Sequence, residues 1–231
     1  QHVHWNTAGS ATTVNYDGIV KDHAKLSLYL KSLSQVSQQE YSRWPLNEQQ
    51  AFLINAYNAY TVELILTRYP NLESIKDLGG IFSSPWKKAF FSLLGQQRSL
   101  DSIEHSLLRG DKRYKDPRIH FAVNCASIGC PALRDEASLG NKLELQLDDQ
   151  TIRFLSDKTR NRFNAKTDIF QTSKIFYWYA EDFDKYAGGS KVFIARYADK
   201  IKLPASEAST MRQAKFAIEY NDYDWSLNKT K

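Results

Sequence analysis

The sequence is poor in cysteine, proline, glycine and methionine, and it has no long apolar run and no cluster of one charge sign. Six Pro and ten Gly in 231 residues leave no long flexible linker and no low-complexity tract. No apolar run approaches the ~20 residues of a membrane span. Lys and Arg number 31 against 26 Asp and Glu, for a net charge of +5. They are scattered singly or in pairs, as at Lys87-Lys88. Electrostatic binding to nucleic acid needs a clustered stripe, so no nucleic-acid partner is expected. Gln1-His2-Val3-His4-Trp5 lacks the basic start and apolar stretch of a secretory signal. The single Met is Met211, so residue 1 is not an initiator. A cleaved export signal is one explanation of that start.

Two cysteines, Cys125 and Cys130, lie five residues apart. A zinc site needs more ligands nearby, and a redox pair is usually spaced C-x-x-C. Three readings remain: a small disulfide loop, two free thiols, or one reactive thiol. The five His and two Cys offer no ligand pair at helical metal spacing, and neither a metal nor another cofactor is expected.

What is abundant is aromatic: 13 Tyr, 12 Phe and 5 Trp. With 42% hydrophobic and 25% charged residues, the chain reads as one folded domain over 1–231 with a sizeable core. Residues 1–14 read as an irregular arm. Residues 22–36 carry Leu26, Leu30 and Leu33 at helical spacing. Residues 48–68 are the strongest helix, with a capping-box pattern at Asn47 and Gln50, and Pro70 beyond its end. That helix is apolar on nearly every side, which places it inside the fold. Asn55 and Asn58 sit within it. Buried amides need partners, so both are expected to bond to neighbouring loops or to shape a site.

Residues 90–98 read as a hairpin around Gly95. Residues 99–109 read as a helix with Asp101 as cap and Glu104 at the capping-box position. Residues 118–125 alternate: Ile119, Phe121, Val123 and Cys125 against Arg118, His120, Ala122 and Asn124. Period two predicts a strand. Residues 141–156 read as a helix. The expected fold is α+β: several helices, one central and buried, packed on a small, mainly antiparallel sheet.

Residues 118–131 concentrate a His, an Asn, two Cys and a Ser just after the expected strand. A thiol becomes a nucleophile when a nearby His stabilises the thiolate, and a carboxylate or amide orients the imidazole. Cys125 is the candidate nucleophile, because several backbone N–H groups follow it to serve an oxyanion, whereas Cys130 precedes Pro131. His120 is the candidate base, and Glu104 the orienting group, with Asn55 or Asn58 as alternatives to it. On a straight strand Cys125 would point away from His120, so the pairing requires a bend near Asn124. Each residue has a plainer reading as well: Glu104 as a helix cap, Cys125 as a core thiol, and Cys125–Cys130 as a structural disulfide.

Residues 51–59 (AFLINAYNA), 100–105 (LDSIEH), 116–131 (DPRIHFAVNCASIGCP) and 223–228 (YDWSLN) resemble, in order, the bacterial members of the domain-of-unknown-function family 547. The family's motif positions fall on Asn55, Asn58, Glu104, His120, Asn124, Cys125 and Cys130. Membership brings no established reaction. The resemblance implies a secreted or periplasmic protein after signal removal, a compartment that permits a disulfide. A Cys–His–Glu or Cys–His–Asn set is similar to thiol hydrolases of the papain and transglutaminase kind, which is analogy.

Two functions are therefore expected. The first is a thiol-dependent amide or ester hydrolase or acyltransferase, acting on an unidentified substrate such as a protein or peptide. In it Cys125 attacks, His120 moves the proton, Glu104 orients His120, and Asn55, Asn58, Asn124 and Cys130 shape the pocket. The second is a non-catalytic envelope protein with a Cys125–Cys130 disulfide holding a binding surface.

Overall fold

The structure, a computed structural model, describes residues 1–80, 83–111 and 113–230. Strands β1 (Val3–Trp5) and β2 (Thr12–Val14) pair antiparallel. The expected irregular arm is thus a hairpin. All three residues of β2 are β-branched, and the Asn6 side chain accepts from Ser10 N at 2.9 Å to close the turn. Helices α1 (Tyr16–Lys21), α2 (His23–Gln35) and α3 (Gln38–Tyr41) lead to α4 (Leu46–Leu66).

Helix α4 is the buried helix the sequence predicts, with Leu53, Ile54, Ala56 and Ile65 fully buried. Its start differs from expectation. Pro45 occupies the cap position without a side-chain bond, so Asn47 and Gln50 form no capping box. Pro fits at this end because its missing N–H is not needed there.

Strands β3 (Phe91–Leu93) and β4 (Gln96–Arg98) form the expected hairpin. Leu94 and Gly95 both take positive φ, 54° and 73°, the geometry of a tight two-residue hairpin turn. Helix α5 spans Leu143–Ser156. Beyond it come β5 (Arg162–Asn164), β6 (Ile169–Ser173), α6 (Ile175–Trp178), α7 (Ala180–Ala187), α8 (Ser190–Ala195), α9 (Ala205–Arg212) and β7 (Ala217–Asn221). The class is α+β. The sheet content is divided into the two hairpins and a three-stranded sheet, in which β6 pairs antiparallel with β5 and parallel with β7.

The expected strand over residues 118–125 is a correction. Pro117–Phe121 is a 3-10 turn, capped by the Asp116 carboxylate, which accepts from Arg118 N at 2.9 Å. The alternation has another cause. The turn lies between two cores, with Ile119 and Val123 in a cluster built around α4. Phe121 packs instead into a second, phenylalanine-rich cluster with Phe154, Phe176, Phe183 and Phe193. Apolar residues two apart serve different cores here rather than one sheet face.

Candidate functional site

His120 sits on this turn with its side chain 1% exposed, held between the two cores. Its Nε2 lies 2.8 Å from Asp182 Oδ2. Asp182 is in the first turn of α7, and Arg109 grips the same carboxylate at 2.6 and 3.2 Å. Burial alone would raise the Asp182 carboxyl, but the bonds from His120 and Arg109 outweigh it and hold it well below the usual carboxylate range. Asp182 is therefore ionised and can only accept, so His120 Nε2 carries the proton.

Burial pushes the His120 imidazole below its ordinary 6.5, although Asp182 and Glu104 pull the other way. The ring is neutral at pH 7, with its lone pair on Nδ1. That atom is buried and has no hydrogen-bond partner among the described residues. A buried imidazole fixed at Nε2 by a carboxylate and bare at Nδ1 is built to accept a proton.

Glu104 does not take either expected role. The helix carrying it, Ser102–Leu108, has π-helical turns, and its N-terminal residue Asp101 makes no side-chain cap. The Glu104 carboxylate is buried and accepts from the Tyr179 hydroxyl at 2.5 Å. Tyr179 in turn stacks on the His120 ring, with centroids 3.7 Å apart and 17° between planes. Asp182 orients the imidazole, and Glu104 holds the aromatic plate against it. Burial first, and then the Glu104 charge, raise the hydroxyls of Tyr57 and Tyr179 above their ordinary pKa, so both stay protonated as donors.

The chain turns after Asn124 as the pairing requires. Ala126 adopts a left-handed φ of 62°, supported by a 2.8 Å bond from its N–H to Asn124 Oδ1. Non-glycine residues rarely adopt this conformation, and it is concentrated at functional sites. The closing segment braces the turn: Ile128 N and Gly129 N donate to Ser226 O and Asp224 O, both at 2.8 Å. A Cβ on Gly129 would lie 2.9 Å from Asp224 O and from the Tyr223 ring, so the close approach demands glycine. These bonds, with that from Cys130 N to Ser127 O at 3.1 Å, occupy N–H groups expected to serve an oxyanion. The hydroxyls of Ser127 and Tyr223, 3.2 and 3.3 Å from Cys125 Sγ, are donors at the sulfur instead.

Cys125 and Cys130 form a disulfide, with Cα atoms 6.2 Å apart. Both line a cavity of about 240 Å³ together with His120 and Glu104. Its other walls are largely aromatic, including Tyr57, Trp86, Trp178, Tyr179, Tyr223 and Trp225.

Asn55, Asn58 and Asn124 are placed elsewhere. Asn55 exchanges two bonds with the Ser138 backbone, both at 2.8 Å. Asn58 donates to Ala122 O at 2.9 Å and accepts from Asn124 N at 2.8 Å. Both asparagines are half-buried and line a second cavity of about 350 Å³ with Leu26, Val62 and Leu133. Asn124 is buried and satisfied by Ala126, Pro131 and Asn228. Asn58 and Asn124 position the loop that carries His120 and the bridge, and Asn55 holds the chain that follows it at Ser138.

Sequence reasoning missed Asp182, Tyr179 and Arg109. Asp182 follows Glu181 in the first turn of a helix, where acids are ordinary partners of the helix dipole. Its contact with His120, 62 residues away, leaves no local pattern. Among the described residues no three His, Cys, Asp or Glu side chains gather as a metal-holding group, and no helix is long and apolar enough to cross a membrane.

The fold and cavity define an α+β domain with a histidine–carboxylate pair and a cysteine pair on one aromatic-walled pocket. Residues 41–155 match the family described as a protein of unknown function, DUF547, and through this segment the chain belongs to that family. No curated protein and no solved structure matches the chain. The matched segment holds α4, Glu104, His120 and both cysteines, whereas Asp182, Tyr179 and Tyr223 lie beyond it.

Proposed function

We propose that the chain is a thiol-dependent hydrolase or acyltransferase acting on an amide or ester, with Cys125 as nucleophile once its bridge is open. One observation carries this reading: a neutral imidazole whose Nδ1 has no partner among the described residues shares a cavity with Cys125. His120 Nδ1 takes the Cys125 thiol proton and the thiolate attacks the carbonyl carbon. The hydroxyls of Tyr223 and Ser127 donate to the oxyanion. His120 then returns the proton to the leaving amine or alcohol, leaving a thioester. Water or a second nucleophile, deprotonated by His120, takes the acyl group. Asp182 stabilises the imidazolium formed in each step, and the Glu104–Tyr179 pair keeps the ring in place.

The experiment incubates reduced, folded protein with an activated acetyl ester and reads intact and fragment mass. The reading expects an acetyl group on Cys125 that is absent from Cys125→Ala. No adduct, or one undiminished in Cys125→Ala, overturns it.

The bridge itself favours a second reading. A disulfide persists in oxidising compartments such as the periplasm or the extracellular space. An envelope protein in such a compartment would use the bridge and the Asn58–Asn124–Asn228 network to hold the aromatic cavity as a binding site. Ordinary stability of the reduced protein would count against this reading.

A further inference from the structure

Three donors converge on one sulfur of the bridge. Cys125 N–H lies 2.9 Å from Cys130 Sγ, the Tyr223 hydroxyl 3.2 Å and the Ser127 hydroxyl 3.4 Å. With its single proton, Ser127 either donates to Cys130 directly or, at 3.2 Å, donates to the Tyr223 oxygen, which then donates to Cys130 in series. Cys125 Sγ meets the same two hydroxyls, but no backbone N–H among the described residues. Access is unequal in the opposite sense. Cys125 is half-buried on the cavity wall, and Cys130 is 3% exposed.

A sulfur in a disulfide is a weak acceptor and gains little from such donors. A thiolate gains much more, because hydrogen bonds to an ionised acceptor are about twice as strong as neutral ones. The backbone N–H cannot turn away, so the stabilisation is built in before any charge forms.

We infer that the bridge is a thiol–disulfide exchange site, at which a small organic thiol entering the cavity attacks Cys125 and Cys130 leaves as a stabilised thiolate. The incoming thiol loses its proton to solvent. Its thiolate forms a new S–S bond to Cys125 Sγ, the Cys125–Cys130 bond breaks, and the electron pair stays on Cys130 Sγ. A second thiolate displaces the first from Cys125. One small-molecule disulfide is released, two thiols are oxidised, and the protein bridge is reduced. A leaving thiol of lower pKa departs faster, which gives the donors around Cys130 a kinetic role. The cysteine spacing differs from C-x-x-C, and the loop achieves the asymmetry by folding the Cys125 N–H back onto Cys130. This activity is independent of the hydrolase reading, since it needs neither His120 nor an acyl substrate.

The test exposes native protein to 2-mercaptoethanol without denaturant, quenches with iodoacetamide at short times, and locates both groups by fragment mass. The expected product carries mercaptoethanol on Cys125 and the alkyl group on Cys130. Tyr223→Phe and Ser127→Ala should each slow opening about threefold or more, through the raised pKa of the leaving thiol. A merely structural bridge predicts the reverse, because loosening the packing around it speeds reduction. The inference is overturned by mercaptoethanol on Cys130, by opening only in denaturant, or by variants that open as fast as wild type. The placement of the groups is read on the wild-type protein, so it stands even where a variant does not fold.

Discussion

Two cavities share α4 and the loop after His120, and they differ in what their walls leave undone. In the larger, about 350 Å³, Asn55 and Asn58 each make two bonds to backbone across the cavity wall. In the smaller, about 240 Å³, one imidazole nitrogen has no partner among the described residues and a bridge presents its half-buried sulfur. A satisfied polar group holds loops in place, whereas an unsatisfied buried one costs stability and persists where something else requires it. On the proposed function, chemistry belongs to the smaller cavity and scaffolding to the larger.

The largest expected effect comes from His120→Ala. General acid–base catalysis contributes about 10²–10⁴-fold, and esterase activity of the reduced protein should fall by that order with the fold retained. The same substitution should leave bridge opening by mercaptoethanol unchanged, separating the base from the exchange site.

Asp182→Asn tests the orienting carboxylate through pH. The proposed activity requires neutral His120 and should be lost as pH falls through its pKa, which lies below 6.5. Asp182 favours the imidazolium, so its neutralisation lowers that pKa further. The acid limb of the rate profile should therefore move to lower pH while the maximal rate drops. An unmoved limb would remove Asp182 from the site.

Stability should follow the same groups. His120 and Asp182 both have folded pKa values below their unfolded ones, so the unfolded chain binds more protons on acidification. The stability contributed by these groups is fully present above their unfolded values and is lost as pH falls through the folded ones. His120 acts first, below about 6.5, and Asp182 in the more acidic range. Thermal unfolding at stepped pH should show stability falling first below about 6.5. In His120→Ala that first fall should be weaker.

The smallest effect on activity belongs to the larger cavity. Asn55→Leu or Asn58→Leu strands backbone groups and should cost about 1–3 kcal/mol of stability, read as a lower denaturant midpoint. Alkylation and acylation at Cys125 should stay near wild type under folding conditions. A large loss of chemistry without loss of stability would break the division between the cavities.

How much of this was legible in the sequence depended on whether the cause was local. Helix α4 announced itself because a helix apolar on nearly every side has one reading, and 12 of its 21 residues are buried. The β3–β4 hairpin was visible in Gly95. The candidate set of His120, Cys125, Glu104 and Cys130 was picked out by residue type, and the structure places all four on the wall of one cavity. The role of Glu104 was not legible, since its partner Tyr179 is 75 residues away. Asp182 was hidden among helix-starting acids. The period-two pattern at 118–125 misled because apolar side chains two residues apart enter two different cores, and a single-sequence pattern cannot tell this from one face of a strand.

The central claim is that His120 and Cys125 act as one unit. Its most direct measurement is the rate of Cys125 alkylation by iodoacetamide in reduced, folded protein, followed from pH 5 to pH 10 and compared with His120→Ala. Fragment mass separates Cys125 from Cys130. The account predicts that wild-type Cys125 reacts well below the pH of an ordinary thiol, whose pKa is about 8.5, and that His120→Ala restores ordinary behaviour. Identical profiles in the two proteins would contradict it.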